Sequence, residues 1–283
     1  MTSVQETHEP GTSDSAVHRP NALVRQWQSF WAAVQFLTHI PVPAVLLADA
    51  RDERPRLQLA TLYFPLVGSL IGLVTGTVIW FASHLWPLWL AVGLGLAVEA
   101  ILTGALHEDA LADCCDALGG GWTRADVLRI LDDSRLGSYG VLGLTLALFL
   151  RAGALAALEP SLMLPAVIAS ATLGRWAMIL ALALLAPLPD RPSLTQQAGR
   201  QTFGHVLGGA VLAVAGSLPL AVVSPLRLGL SVAAVLAVTA VFAFYLQRRI
   251  GGMTGDGIGA ICYISQIAVL LCCCARLGIT LRP

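Results

Sequence analysis

The sequence predicts an all-α fold, a polytopic integral membrane bundle of about seven transmembrane helices. Three observations point there. Of 283 residues, 56% are hydrophobic and only 12% charged, where soluble domains carry about 25% charged residues. The apolar residues fall into runs close to the ~20 residues a helix needs to cross a hydrocarbon core. The basic residues, all 17 of them arginine, are spread unevenly among the loops between those runs.

Residues 1–22 read as a disordered polar tail, and 23–283 as a single membrane-embedded domain. No apolar core follows a charged start, so the tail does not resemble a signal peptide. The stretch from Phe30 to Leu47 contains Gln35, Thr38 and His39, and Pro41 and Pro43 interrupt it. With Trp27 and Trp31 near its start, it reads as an interfacial or re-entrant helix, not a span. Spans are predicted near 60–82, 87–106, 140–158, 162–186, 205–223, 228–246 and 259–275. The six cysteines match neither a zinc site nor a disulfide framework and are expected to be small packing residues. Net charge is zero, so nothing recommends nucleic acid as a partner. Lipid is the expected surroundings, and nothing argues against a homo-oligomer.

With a cytoplasmic N-terminus and seven spans, Arg19, Arg25, Arg51, Arg54, Arg56, Arg124, Arg129, Arg135, Arg191, Arg200, Arg248 and Arg249 are cytoplasmic. Only Arg227, Arg276 and Arg282 lie outside, and Arg151 and Arg175 fall within spans. This bias orients the chain. It also puts the two polar loops, 107–139 and 247–258, on the same cytoplasmic face.

The first loop is acidic. Seven of the chain's 17 acidic residues lie between Glu108 and Asp133. Asp109, Asp113 and Asp116 are spaced i, i+4, i+7, which places them within an arc of about 60° on one helix face. Like charges so placed repel one another, and a cation among them relieves the repulsion. Oxygen ligands of this kind suit Mg²⁺, which keeps several waters and shares substrate phosphates. His107 projects roughly opposite that face and is not counted as a ligand. The bland alternative is a solvated acidic face. Downstream, Gly119-Gly-Gly121 breaks the helix, and Thr123 with Asp126 makes a capping-box pattern for a second short helix. Asp132-Asp133-Ser134-Arg135 follows. Asp133 and Arg135 offer a base and a bidentate oxygen clamp, or simply a salt bridge with each other.

The second loop runs Arg248-Arg249-Ile250-Gly-Gly-Met-Thr254-Gly255-Asp256-Gly-Ile-Gly259, with five glycines in the nine residues from 251 to 259. Freed backbone amides make an anion nest, and the two arginines add charge. No Walker lysine is present, so this is not a nucleotide-hydrolysing P-loop. Glu99, Arg151 and Arg175 sit within apolar runs, where charges usually face the bundle interior. Glu99 is expected to pair with Arg151 or Arg175. Arg175 could equally meet substrate.

Six motifs together resemble one family. They are Leu37-Thr-His-Ile-Pro41-Val-Pro, Phe64-Pro-Leu-Val-Gly68, His107-Glu-Asp-Ala-Leu-Ala-Asp-Cys-Cys-Asp116, Asp133-Ser-Arg-Leu-Gly-Ser-Tyr-Gly140, Gly174-Arg-Trp176 and Gly251-Gly-Met-Thr-Gly-Asp256. Over about residues 28–275 the chain resembles cobalamin synthase, also called adenosylcobinamide-GDP ribazoletransferase. The resemblance implies an Mg²⁺-dependent enzyme of a bacterial inner membrane, its site facing the cytoplasm. Such an enzyme joins adenosylcobinamide-GDP to α-ribazole or its 5′-phosphate and releases GMP. It implies metal at Asp109, Asp113 and Asp116, and catalytic roles for Asp133, Asp116 and Arg135. It implies phosphate or substrate contacts at Thr254, Gly255 and Asp256; beside it, the residues themselves offer Arg248 or Arg249 to phosphate oxygens and Arg175 to structure or substrate. Two departures stand out. Ala110 replaces a Gly usual in the first acidic motif, and the last span offers Tyr263 and Gln266 where a Glu is frequent. A CDP-alcohol phosphotransferase-like enzyme shares the chemistry without the spacing seen here. A cation transporter would need acids at mid-membrane, where only Glu99 qualifies.

Overall fold

The computed structural model describes residues 21–47, 53–189 and 194–276, with residues 53–56 and 194 described by backbone alone. The predicted tail up to Pro20, and Arg51, Arg191 and Arg282 of the arginine count, lie outside the described residues. Where Asn21 accepts the amide of Leu23, a first helix starts: α1 (Ala22–Leu37). It ends at Thr38, ahead of Pro41 and Pro43, which cannot continue a helix. It therefore lies earlier than the expected Phe30–Leu47 segment, and it is not among the helices long and apolar enough to span. α2 (Glu53–Ala60) leads through a tight turn into α3 (Phe64–Ala82). α4 (Leu88–Thr103), α5 (Leu106–Gly120), α6 (Arg124–Leu131), α7 (Ser138–Ala156), α8 (Pro160–Leu184) and α9 (Leu194–Ala198) follow. α10 (Phe203–Val223), α11 (Pro225–Arg249) and α12 (Gly255–Cys274) complete the described chain. Among the described residues there is no strand, only an isolated bridge between Pro187 and Met253.

Six helical segments are long and apolar enough to cross a membrane, and a seventh counts if α4 and α5 are taken as one broken span bent by 89°. The fold is thus the expected all-α polytopic bundle, with its second span interrupted. α4 stops because Gly104 adopts a left-handed conformation (φ 67°) and so does Ala105 (φ 54°). Their amides both turn back to the Ala100 carbonyl, which satisfies a helix C-terminus. α5 then leaves across the end of the bundle.

α8 is the central helix, packed against α3, α10, α11 and α12. Small residues make this contact close. A Cβ on Gly72 would run into the backbone of Val167 and Ile168 on α8, the small-residue packing that membrane helices use. The core also holds charges. Arg151 on α7 donates to both oxygens of Glu99 on α4 (2.7 and 2.8 Å), and both side chains are 3% exposed. Thr75 donates to Glu99 (3.0 Å), Arg151 reaches Glu108 (3.5 Å), and the Tyr263 ring lies 5.1 Å from the guanidinium. The expected Glu99–Arg151 pairing is present.

The two polar loops meet at one end of this bundle. Arg124 donates to the Ile250 carbonyl (2.9 Å), and Arg249 donates to the Gly121 carbonyl (2.5 Å). In the α8–α9 connection the Leu188 amide donates to the Met253 carbonyl (3.1 Å), and the Met253 amide donates to the Ala186 carbonyl (2.9 Å).

Removing one member of a buried pair strands the other charge, at a cost of about 3–5 kcal/mol. Arg151→Met is therefore expected to destabilise the protein by about that much in thermal unfolding. Glu99→Leu should cost less, because Arg151 retains Glu108 and Gln266. Equal costs would mean that the two secondary partners contribute nothing.

Candidate functional site

The site is built at the turn from α4 to α5. A left-handed alanine costs roughly 1–2 kcal/mol, and the strain is held by neighbours: the His39 ring packs on Gly104, and the His39 amide donates to the Leu102 carbonyl (2.8 Å). Turned this way, α5 brings its first residues against the start of α12. A Cβ on Gly259 would collide with the methyl of Ala110, so only glycine permits this approach. Between the two helix starts lies a cavity of about 290 Å³ that both Asp109 and Asp256 line. Two acids more than a hundred residues apart in sequence thus share one opening.

Asp113, one turn further along α5, stands beside them. Its pKa is pushed up to about 6, first by desolvation and then by the carboxylates of Asp109, Asp256 and Asp116. His107 also lines the cavity. It is 2% exposed, and neither ring nitrogen has a hydrogen-bond partner. Burial, with Arg175 and Arg151 behind it, pushes the imidazole well below its usual range, so it is neutral at pH 7. Sequence reasoning passed over His107 because 200° of helix separates it from Asp109. A cavity at the end of a helix reaches round more than one face. The signal available in sequence was its position, heading the acidic motif beside the break.

Asp116 shares that face and helps to raise Asp113, but it does not line the cavity. Its carboxylate accepts the amides of Gly137 (2.7 Å) and Gly140 (2.8 Å) at the start of α7. Side chains at either glycine would strike this carboxylate. The i+7 spacing does keep Asp116 on the same face, but α5 runs under the α7 N-terminus, whose unpaired amides and positive dipole end capture the acid. Asp133 and Arg135 form an exposed pair (2.7 Å) over a separate shallow groove that also includes Asp116 and Tyr139. The Arg135 hydrogen bonds hold the Asp133 carboxyl down to about 2, which makes it a weak proton acceptor.

The remaining predicted contacts divide. Gly255 lines the cavity with Asp256. The Thr254 hydroxyl accepts the Gly257 amide (3.0 Å) and caps α12. Arg249 is committed to carbonyls at the C-terminal end of α5, those of Gly121 and Leu118, where a cation suits the helix dipole. Arg248 is exposed, over the Phe244 ring at 4.7 Å. Arg175, expected at structure or substrate, is fully buried in α8 and does not line the cavity; it donates to Gln266 (3.1 Å) and the Ala171 carbonyl (3.3 Å). The predicted box between Thr123 and Asp126 caps α6.

The profile of the cobalamin-5-phosphate synthase family matches residues 29–274. The chain belongs to that family. The adenosylcobinamide-GDP ribazoletransferase of Leptothrix cholodnii is 37% identical over 88% of this chain and 96% of its own length. Those of Ralstonia pickettii and Shewanella frigidimarina are each 35% identical over 88% of this chain, and over 96% and 94% of their own. No solved structure matches. Membership makes the chain an enzyme of cobalamin synthesis and sets aside the transporter and CDP-alcohol readings. Both departures from the synthase pattern have structural accommodation. The Ala110 methyl is received by Gly259. Gln266 accepts from Arg151 (3.2 Å) and Arg175 (3.1 Å), so its amide oxygen stands between the two cations where an acid would otherwise pair.

The acids of α5 should therefore respond differently to neutralisation. Asp116→Asn removes a charged helix anchor and is expected to cost about 1–2 kcal/mol in chemical unfolding. Asp113→Asn removes a repelled charge and should leave metal-free stability equal or higher. Loss of stability at Asp113 alone would reverse this assignment.

Proposed function

We propose that this chain is an adenosylcobinamide-GDP ribazoletransferase of a bacterial inner membrane. It joins adenosylcobinamide-GDP to α-ribazole, or its 5′-phosphate, and releases GMP. The observation that supports this most is the meeting of Asp109 and Asp256 on one cavity, with Asp113 beside them, in a chain of this family.

Among the described residues, no three His, Cys, Asp or Glu side chains stand close enough to enclose a metal ion by themselves. The donor chemistry nevertheless fits Mg²⁺, which takes one or two carboxylates and completes its shell with water and substrate phosphate. Burial raises Asp113 first, and the nearby carboxylates of Asp109, Asp256 and Asp116 raise it further. Asp109, Asp113 and Asp256 are the residues that would hold it, in place of the triad with Asp116. Bound there, Mg²⁺ would supply positive charge against the diphosphate.

The chain's own residues do the rest. The first turns of α5 and α12 border the cavity, and the amides of a helix start favour anionic oxygens. Arg135 is 86% exposed and paired only with the half-exposed Asp133. Such surface pairs are weak, so a nucleotide phosphate can take the guanidinium from Asp133. The hydroxyl proton of the acceptor passes to a carboxylate, either one of the cavity or Asp133 once the nucleotide phosphate has taken Arg135.

Purified protein with both substrates and Mg²⁺ is expected to form the cobalamin product and GMP, and chelation should stop it. Asp109→Asn or Asp256→Asn should reduce turnover by on the order of a hundredfold or more while the protein stays folded. Near-normal turnover in either variant at saturating Mg²⁺ removes that residue from the site.

The arginine bias supports a cytoplasmic position for this end of the bundle. Single cysteines replacing the exposed Trp122 and Arg248, in a cysteine-depleted background, should both label only from the cytoplasmic side. Labelling from opposite sides would rule out this topology.

A further inference from the structure

The cavity is lined by two unlike sets of residues. One comprises Asp109, Asp256 and the His107 imidazole. The other comprises Phe36, Leu57, Phe64, Met178, Leu182 and Ile258. Acids alone would explain only the first set. On the transferase reading, several groups compete for space near those acids: a corrin macrocycle, a guanine base and the base of the acceptor nucleoside. Size removes the first. At about 290 Å³, the cavity sits at the low end of small-molecule pockets, roughly 300–1,000 Å³. That is room for one bicyclic base with its sugar.

Chemistry separates the two bases. Guanine carries a carbonyl, an amide N–H, an amino group and ring nitrogens around its edge. Each needs a partner once it leaves water. The apolar set presents hydrocarbon, two aromatic rings and a thioether. Two hydroxyls line the cavity: that of Thr61 already donates to the Gln58 carbonyl (2.8 Å), and that of Thr195 stands beside Gly255, next to Asp256. The benzimidazole of α-ribazole presents methyl groups, ring carbons and a single unsubstituted ring nitrogen. It can be buried among such walls with little left unpaired. Phe36 and Phe64 are stacked, with centroids 5.4 Å apart and planes 10° apart. A flat base can extend that stack.

His107 supplies the second half of the fit. Its two nitrogens are buried without partners, and buried polar atoms in folded proteins nearly always have one. A pentose between the apolar walls and the carboxylates offers hydroxyls that both donate and accept, which can satisfy both ring nitrogens.

We infer that this cavity is the seat of the acceptor nucleoside. Its apolar residues take the benzimidazole, stacked on Phe36 and Phe64. His107 receives the pentose hydroxyls, and the reacting hydroxyl points toward Asp109 and Asp256. The GDP-activated corrinoid approaches from outside. This rests on the transferase reading above and adds the specificity: a planar, apolar base is selected by walls that cannot satisfy a purine edge.

The test uses full-length protein in lipid nanodiscs. Calorimetry measures α-ribazole and guanosine binding to wild type, Phe36→Ala, Phe36→Tyr and Met178→Ala, without metal or corrinoid. In the complete reaction, KM is measured for each substrate. Wild type is expected to bind α-ribazole at least about tenfold tighter than guanosine. Phe36→Ala and Met178→Ala should weaken α-ribazole, and raise its KM, by about tenfold. Phe36→Tyr, which keeps the ring, should retain it. The KM of adenosylcobinamide-GDP should stay within about twofold. Tighter guanosine binding, or a rise in the corrinoid KM alone, would assign the cavity to guanine. Unchanged values in all variants would remove it as a substrate seat. The binding arm needs no turnover. Expected binding without product overturns the transferase reading, and product with an unaltered α-ribazole KM overturns the pocket assignment alone.

Discussion

Because Gly104 and Ala105 both take the left-handed conformation, α5 leaves α4 at 89° and lies across the end of the bundle. A straight continuation would carry Glu108, Asp109, Asp113 and Asp116 along a span, where each charge costs about 2.5–3.5 kcal/mol on insertion scales. The turn keeps the acids at the membrane face and aims the start of α5 at the start of α12. The cavity, the meeting of Asp109 with Asp256, and the capture of Asp116 by α7 all depend on it. The strain of a left-handed alanine is small against that.

The buried charges explain how the turn is braced from within. Glu99 lies one turn before Thr103, whose hydroxyl donates back to the Glu99 carbonyl (2.9 Å). Its carboxylate is tied to Arg151 on α7, and Arg151 also reaches Glu108 on α5 and Gln266 on α12. One guanidinium therefore touches residues from both sides of the bend and from the helix that faces it. A pair like this contributes little net stability against apolar residues of similar size. Its effect here is geometric, since it joins α4, α5, α7 and α12 in a single arrangement. Arg175, one layer further in on α8, shares the Gln266 oxygen and sets the electrostatic background of His107.

The same economy appears at the loops. Arginines 124 and 249 serve the protein's own carbonyls, and by doing so they hold the acidic segment against the glycine segment. Arginines 129, 135 and 248 stay exposed, against the side chains of Asp126, Asp133 and Phe244. A charge that stitches the scaffold and a charge that meets substrate look alike in sequence. They differ in whether a backbone carbonyl has claimed them.

The sequence by itself determined the class of the molecule. Apolar runs of spanning length, scarce charge and biased arginines allow little else, because a bilayer penalises every unpaired polar group. It also determined local chemistry: the Thr123–Asp126 box, the shared α5 face of Asp109 and Asp113, and the need of Glu99 for an intramembrane arginine partner follow from spacing or from the cost of a buried charge. Only the tertiary structure decided which acids belong together. Helical spacing set Asp116 on the face of Asp109 and Asp113, the fold added the α7 amides that it accepts, and Asp256 joined from across four spans. Spacing describes one helix, whereas a site belongs to several, and the angle at which a helix leaves its neighbour is fixed by contacts distant in sequence. His107 shows the same limit: its unpartnered nitrogens exist only because α12 closes over them.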